Sequence, residues 1–261
     1  MGLPIVLISD FGSTDPYIGQ VKGVLLQRLG QVQWIDLYHD LPPFAISSGS
    51  FLIEKTFHYM PSSVWFCVVD PGVGTSRRML VVQYRESWFV SPDNGLLTPI
   101  LSCPGAKAWQ LKVDSSWLVT SSNTFHGRDL FAPAVAQIVS GQVDTILGEE
   151  LRDPVMLSEP FWWSTANGWK ARVKLVDRYG NLITGLPGKV VEGPVVGWLK
   201  SKSCGVLSTT FGNLGVGEGG LVVGGFGTVE VVINQGSAAA CYGCGVGEVV
   251  EFIRTPVSSS V

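Results

Sequence analysis

The sequence predicts an α/β N-terminal domain with a mainly parallel sheet, residues 1–157, followed by an all-β C-terminal barrel domain, residues 168–261. Three observations carry this. In the first part, short β-rich runs alternate with longer segments of helical spacing, the rhythm of an α/β layer structure. The stretch LRDPVMLSEPFWWSTANG then breaks that rhythm with prolines and aromatics, placing a boundary between 155 and 168. After it, short strands follow one another between glycine turns, the pattern of a small barrel. With 261 residues, 46% of them hydrophobic and only 15% charged, the chain can bury a large core.

Each element has its own justification. PIVLIS reads as a buried strand, and DPYIGQVKGVLLQRL as a helix in which Ile18, Val21, Leu25, Leu26 and Leu29 approximate helical spacing, with Asp15 as cap and Pro16 in the first turn. VQWIDL is a strand, PPFAISSGSFLIEKTFHYM a helix started by its prolines, and SVWFCVVD a buried strand. MLVVQY and SWFVSPD read as a hairpin or paired strands. FHGRDLFAPAVAQIVSG is a second convincing helix, its Pro133 tolerated only near the helix start. The C-terminal strands are WKARVKLVD, VVGWLK, GLVVGG, TVEVVIN and GEVVEFI; the closing SSS is the only low-complexity stretch.

Bulk properties exclude several classes. A formal charge of -3, without any Lys/Arg-rich run, gives no footprint for nucleic acid or an anionic membrane. No uncharged run reaches the ~20 residues needed to span a bilayer. The opening MGLPIVLISD lacks a basic region and meets Asp10 early, so a cytoplasmic location is expected. Five scattered cysteines fit free thiols, and CYGC at 241–244 reads as small residues in a tight turn, since no second pair or nearby His completes a metal set.

Polar residues collect where apolar runs end: Asp10, Asp70, Asp93 with Asn94, Asp177 and Asn234. In open α/β sheets the crevice beyond the strand carboxyl ends binds ligands. The run VVDPGVGTSRR stops a buried strand on Asp70, turns tightly and returns Arg77. Read alone, it is either a capped turn or half of a polar site. TFHGRD adds His126; an imidazole near a carboxylate and a guanidinium can hold a water and share its proton, and the competing role is a helix cap. Arg128 and Asp129 read as a structural pair. GVGEGG at 215–220 spells a dinucleotide fingerprint but lies among strands, where no helix N-terminus can receive a pyrophosphate.

Assembled in order, DFGSTDPYIGQVKG, VVDPGVGTSRR, SPDNGLL, TFHGRDLFAPAVA, DRYGNLITGLP and INQGSAAA make the chain resemble the S-adenosyl-L-methionine (SAM) hydroxide adenosyltransferase family, relatives of the SAM-dependent fluorinase and chlorinase. The resemblance implies hydrolysis of SAM to adenosine and L-methionine, with SAM as substrate and no cofactor or metal. It implies a homotrimer whose sites lie between the N-terminal domain of one subunit and the C-terminal domain of its neighbour. It also assigns Asp70, Arg77 and His126 to the attacking water, and Asp10 to the ribose hydroxyls. Phe44 would shield the ribose. Asn94, Asp177 and Asn181 would make polar contacts to the methionine or adenine portions, with Asp177 on the methionine ammonium. Tyr179 would stack on adenine, with Ser237 and Ala238 in the stretch that reads the base edge. In the halogenases tyrosines replace the Asp and His, and a serine stands where this chain has Gly127. Halide adenosylation and non-catalytic SAM or adenosine sensing are the alternatives.

Overall fold

The computed structural model describes residues 2–114 and 124–255; the closing serines lie outside them. The chain divides into two compact units, Met1–Leu157 and Ser158–Val261.

The first unit runs β1 (Ile5–Ser9), α1 (Tyr17–Leu29), β2 (Trp34–Tyr38), α2 (Ile46–Thr56), β3 (Val64–Val68), β4 (Met79–Tyr84), β5 (Ser87–Pro92), α3 (Thr98–Leu101), β6 (Lys107–Leu111), α4 (Ala132–Val139) and β7 (Leu147–Glu150). Its sheet has the order β2-β1-β3-β5-β4-β6-β7. β1 pairs in parallel with β2 and β3, and β3 with β5. The remaining pairs, β4 with β5, β4 with β6 and β6 with β7, are antiparallel. The sheet is therefore mixed, which corrects the mainly parallel expectation. The cause is the turn at Arg85 and Glu86, where Arg85 takes a φ of 54°. A two-residue turn can only return the chain antiparallel, so once β5 docks beside β3 the strands beyond it run against the parallel half.

β1 and β3 are buried along their whole length, which is why they read as continuous apolar runs. Ile5, Leu7, Phe66 and Val68 pack under Val21 and Leu25 of α1 and Val135 and Ile138 of α4. Trp65 and Phe89 stack at 5.4 Å, and both lie beside Phe57, just past α2. Helix starts differ from expectation. Pro16 takes the cap position of α1 and no side chain caps it. α2 starts at Ile46, after a turn in which Phe44 adopts a φ of 66°. α4 carries Pro133 in its first turn and is entered through a π turn, Gly127–Phe131.

The second unit runs β8 (Trp162–Thr165), β9 (Gly168–Val176), β10 (Leu182–Pro187), β11 (Val195–Leu199), β12 (Lys202–Val206), β13 (Gly219–Val223), β14 (Thr228–Ile233), α5 (Ala238–Tyr242) and β15 (Val249–Arg254). The strand order is β12-β11-β15-β9-β10-β14-β13, with β8 added on β9, and every pair is antiparallel. A bridge between Leu207 and Leu221 brings the two ends together, so the sheet is a nearly closed barrel. Ala171, Val173, Leu182, Val231, Val250 and Phe252 fill it. GVGEGG forms a turn, with the Glu218 carboxylate accepting from the Gly215 amide at 2.6 Å, and leads into β13.

One barrel carboxyl is poorly solvated. Glu230 on β14 is 6% exposed and lies so close to Gly224 that a Cβ there would collide with it. Burial, then the charge of Asp177, raises its pKa from 4.5 to about 7. The folded state thus holds this proton more tightly than the unfolded chain, and the group's contribution to stability falls as pH rises from 4.5 through 7. Glu230→Gln is expected to stabilise the protein by about 2 kcal/mol above pH 7.5 and to change little near pH 4. Thermal unfolding across that range checks it; equal effects at both ends would show that the carboxylate bears no such cost.

Candidate active site

The parallel register sets Ser9 beside Val68, so the residues leaving β1 and β3 emerge at the same sheet edge. Asp10 and Asp70 are those residues. After Asp70 the chain turns through Gly72 and Gly74, the latter at φ 78°, and Thr75 Oγ1 donates to the Gly72 carbonyl at 2.7 Å. The Arg77 stem folds back over the turn and passes Gly72, 3.5 Å from where a Cβ would stand, an ordinary van der Waals distance. Arg77 then forks onto Asp70: Nε donates to Oδ1 at 2.7 Å, and Nη2 donates to Oδ2 in a short contact. The pair is sheltered, with side-chain exposures of 10% and 6%. The guanidinium also lies 5.4 Å from the centre of the Phe131 ring, at the end of the π turn.

Arg77 Nη2 has a second partner, His126 Nδ1 at 3.1 Å. Arginine can only donate, so Nδ1 accepts and the ring proton sits on Nε2. Burial, then the positive charge of Arg77, hold His126 below its ordinary value of 6.5, against the pull of Asp70 and Asp129. A neutral imidazole with a fixed tautomer is the result.

Asp10, Asp70 and His126 line a cleft of about 390 Å³, together with Asp15. Asp10 Oδ2 accepts from the Phe44 amide at 2.9 Å. Burial raises the Asp10 pKa; backbone hydrogen bonds counter part of that, and the charge of Asp70 adds to it. Phe44 projects at the rim, 69% exposed. The remaining wall is aromatic: Phe125 stands edge-on to Phe11 at 5.6 Å and to Tyr17 at 5.3 Å. These three rings and Asp15 were not read as site residues, because an aromatic beside an apolar run looks like core and Asp15 like a cap. Gly127 is explained by the same wall, since a Cβ there would come within 2.9 Å of Phe11 and 3.1 Å of Phe125.

Two strand-end groups serve the scaffold instead. Asn94 links the turn after β5 to the end of β3, donating to the Val69 carbonyl at 2.8 Å and accepting from the Leu96 amide at 3.2 Å, and is not among the residues that line the cleft. Asp93 accepts from Arg78 Nε and the Val155 amide, both at 2.7 Å. Arg128 and Asp129 pair as expected, through Nε at 2.7 Å and Nη2 at 3.0 Å.

In the second unit, Asp177 organises the DRYGN loop. Its Oδ1 accepts from the amides of Tyr179 and Asn181, both at 2.9 Å, and its Oδ2 from Asn181 Nδ2 at 2.8 Å. Gly180, at φ 83°, lies against Ser237, where a Cβ would collide with the hydroxyl. Ser237 caps α5 by accepting from the Ala240 amide at 3.1 Å, and Ala238 is fully buried. Tyr179 and Asn181 line a second hollow of about 320 Å³ with Phe211, Ile233, Gln235 and Gly236. Asn234 is used locally, donating to the Leu214 carbonyl at 2.7 Å. Among the described residues, no group of three or more His, Cys, Asp or Glu is placed to hold a metal ion, and no helix is long and apolar enough to cross a membrane.

Comparison with known proteins follows the same two units. Residues 5–147 match the model of the SAM hydroxide adenosyltransferase N-terminal domain, and residues 171–251 that of the C-terminal domain. An (R)-S-adenosyl-L-methionine hydrolase of Thermus thermophilus is 34% identical over 260 residues, covering 96% of this chain and 99% of the relative. A protein of the same name from Salinispora tropica is 32% identical, covering 94% and 95%. A fluorinase of Actinopolyspora mzabensis is 25% identical, covering 96% and 97%. The solved structure of an uncharacterized conserved protein from Thermotoga maritima is similar with a TM-score of 0.85 at 27% identity, over 96% of this chain and 100% of that one. The chain belongs to the SAM hydroxide adenosyltransferase family.

Proposed function

We propose that the protein hydrolyses SAM to adenosine and L-methionine by in-line attack of water at the ribose C5′. The observation that carries this is the Asp70–Arg77–His126 cluster on the wall of a cleft that also presents Asp10. Oxygen bonds to C5′ as the C5′–S bond breaks; methionine leaves as a neutral thioether, so no general acid is required, and one proton is released per turnover. His126 Nε2–H donates to the attacking oxygen and fixes its direction, while a free lone pair of Asp70 receives its proton. Water, with a pKa of about 15.7, is a poor nucleophile, so positioning and this proton acceptor carry the rate. Asp10, acceptor-only when ionised, takes the ribose hydroxyls beneath Phe44. Tyr179, Asn181, Asp177, Asn94 and the Ser237–Ala238 stretch serve the adenine and methionine ends, and the assembly is a homotrimer in the cytoplasm.

The names of the relatives specify the (R) sulfonium, and we extend that preference to this chain. Incubation with each SAM epimer, with and without chloride, followed by chromatography of the nucleosides, tests the reading. Adenosine and methionine from the (R) epimer in both buffers are expected. A 5′-chloro nucleoside would favour halide transfer, and binding without turnover a sensor. Asp70 and His126 speak against the halide reading, because the halogenases that the chain resembles carry tyrosines at those positions.

A further inference from the structure

Beside the cleft, Ser9, His39 and Asp36 stand in line. Ser9 Oγ is 2.8 Å from His39 Nδ1, and His39 Nε2 is 3.0 Å from Asp36 Oδ1. The other oxygen of Asp36 accepts from Lys22 Nζ at 2.6 Å. The carboxylate can only accept, so Nε2 carries a ring proton; in the neutral ring Nδ1 accepts, and the Ser9 hydroxyl donates to it. A lone pair of Ser9 Oγ remains for the Phe11 amide at 3.4 Å. Burial opposes ionisation of Asp36, but hydrogen bonds from Lys22 and His39 outweigh it and hold the carboxyl below its usual range.

The distances are those of a serine–histidine–carboxylate triad, yet Ser9 is 0% exposed and His39 7%. A ligand cannot reach the hydroxyl, so Ser9 is no nucleophile. What the line does reach is the backbone on either side of Asp10. Ser9 precedes it, Phe11 follows it, and the Gly12 amide donates to the His39 carbonyl at 2.8 Å. One residue further, the Ser13 amide donates to Asp40 Oδ1 at 2.8 Å. The loop after β1 is thus tied to the residues that follow β2 at three points, Ser9, Gly12 and Ser13, around the carboxylate that lines the cleft.

We propose that Ser9 and His39 are positioning residues, and that the Asp36–His39–Ser9 relay holds the Asp10–Gly12 backbone so that the Asp10 carboxylate meets the vicinal hydroxyls of a ribose ligand. The proposal rests on the functional reading above for the ligand, and on the hydrogen-bond geometry for the relay. Two substitutions split the relay. His39→Gln keeps a donor near the Nε2 position for Asp36 and loses the acceptor for Ser9; His39→Asn keeps an acceptor near Nδ1 and loses the link to Asp36.

The experiment measures KM and kcat for SAM, calorimetric affinity for adenosine and the unfolding midpoint of Ser9→Ala, His39→Gln and His39→Asn. It adds the imidazole 15N spectrum of the full-length wild type. Ser9→Ala and His39→Gln are expected to raise KM and the adenosine Kd about tenfold with kcat within about twofold, and His39→Asn, which keeps the acceptor for Ser9 but loses Asp36, to fall between them and wild type. The spectrum should show His39 protonated at Nε2 alone. A lowered midpoint with KM and adenosine Kd unchanged would overturn the proposal, as would a ring protonated at Nδ1. If Ser9→Ala fails to fold, the contrast between the two His39 variants decides. Wild type that binds neither SAM nor adenosine defeats the functional reading instead, and with it the ligand named here.

Discussion

Asp70→Asn is expected to lower kcat for SAM hydrolysis by roughly 10³-fold while KM changes less than about threefold. The substitution keeps shape and removes the anionic acceptor to which the proposed mechanism sends the proton of the attacking water. Both Asp70 oxygens accept from Arg77, and an amide offers only one oxygen to that fork. Its NH2 group must then face an arginine donor, so either the amide or the guanidinium turns away. Because Nη2 also holds His126 Nδ1, a displaced guanidinium releases the imidazole whose Nε2–H directs the nucleophile. One exchanged atom therefore disturbs proton acceptor, anchor and donor together. KM is spared because Asp10, held by the Phe44 amide, belongs to a different strand end. The removed charge pair is nearly buried, so a loss of about 3 kcal/mol in stability accompanies the change. Steady-state kinetics with chromatographic product detection checks the first part and denaturant unfolding the second. A variant retaining more than a tenth of wild-type kcat would remove Asp70 from the chemistry.

The cluster around Asp70 was legible because its residues announce themselves by type and by the turn between them. A buried run ending on Asp, glycines at 72 and 74, and a returning Arg leave few geometries, and the observed fork is one of them. His126 was legible by its surroundings of small and charged residues. What escaped was of two kinds. Phe11, Tyr17 and Phe125 are ordinary aromatics until β1, α1 and the π turn bring them to one wall, and no local pattern records that convergence. Strand direction was equally hidden. MLVVQY and SWFVSPD showed a hairpin, but not that β5 rather than β4 would lie beside β3, and that choice makes the sheet mixed. In the second unit, Trp162–Thr165, Leu182–Pro187 and Lys202–Val206 are too short or too interrupted to stand out, and only barrel pairing defines them. Polar strand ends also proved ambiguous one by one: Asp10 and Asp70 reach the cleft, whereas Asn94 and Asn234 donate to the Val69 and Leu214 carbonyls of other segments.

Arg77→Met is expected to be as costly to turnover as the change at Asp70 and costlier to the fold. It removes the two bonds to Asp70 and the one to His126, leaving a carboxylate of 6% exposure without its cation. An uncompensated buried charge costs about 3–5 kcal/mol, so the unfolding midpoint should fall further than in Asp70→Asn. Arg77→Lys separates charge from geometry. An ammonium can neutralise Asp70 but cannot fork across both oxygens and still reach the imidazole, so stability should recover more than rate. The second readout is His126. Burial and the Arg77 charge hold its folded pKa below the unfolded 6.5. The folded state therefore favours the neutral ring, and the stability this gives is present above pH 6.5 and lost as pH falls towards the folded value. Activity that depends on Nδ1 accepting from Arg77 fades on the same acid side. With Arg77 gone, one depressing cause disappears and Asp70 is left as an unneutralised anion nearby, so the His126 pKa must rise in Arg77→Met. Titration of its imidazole by NMR, read beside the pH dependence of residual kcat, should show both moving to higher pH. A ring that titrates as in wild type would mean that Arg77 does not set its charge state, and the proton-donor role given to His126 Nε2 would lose its physical basis.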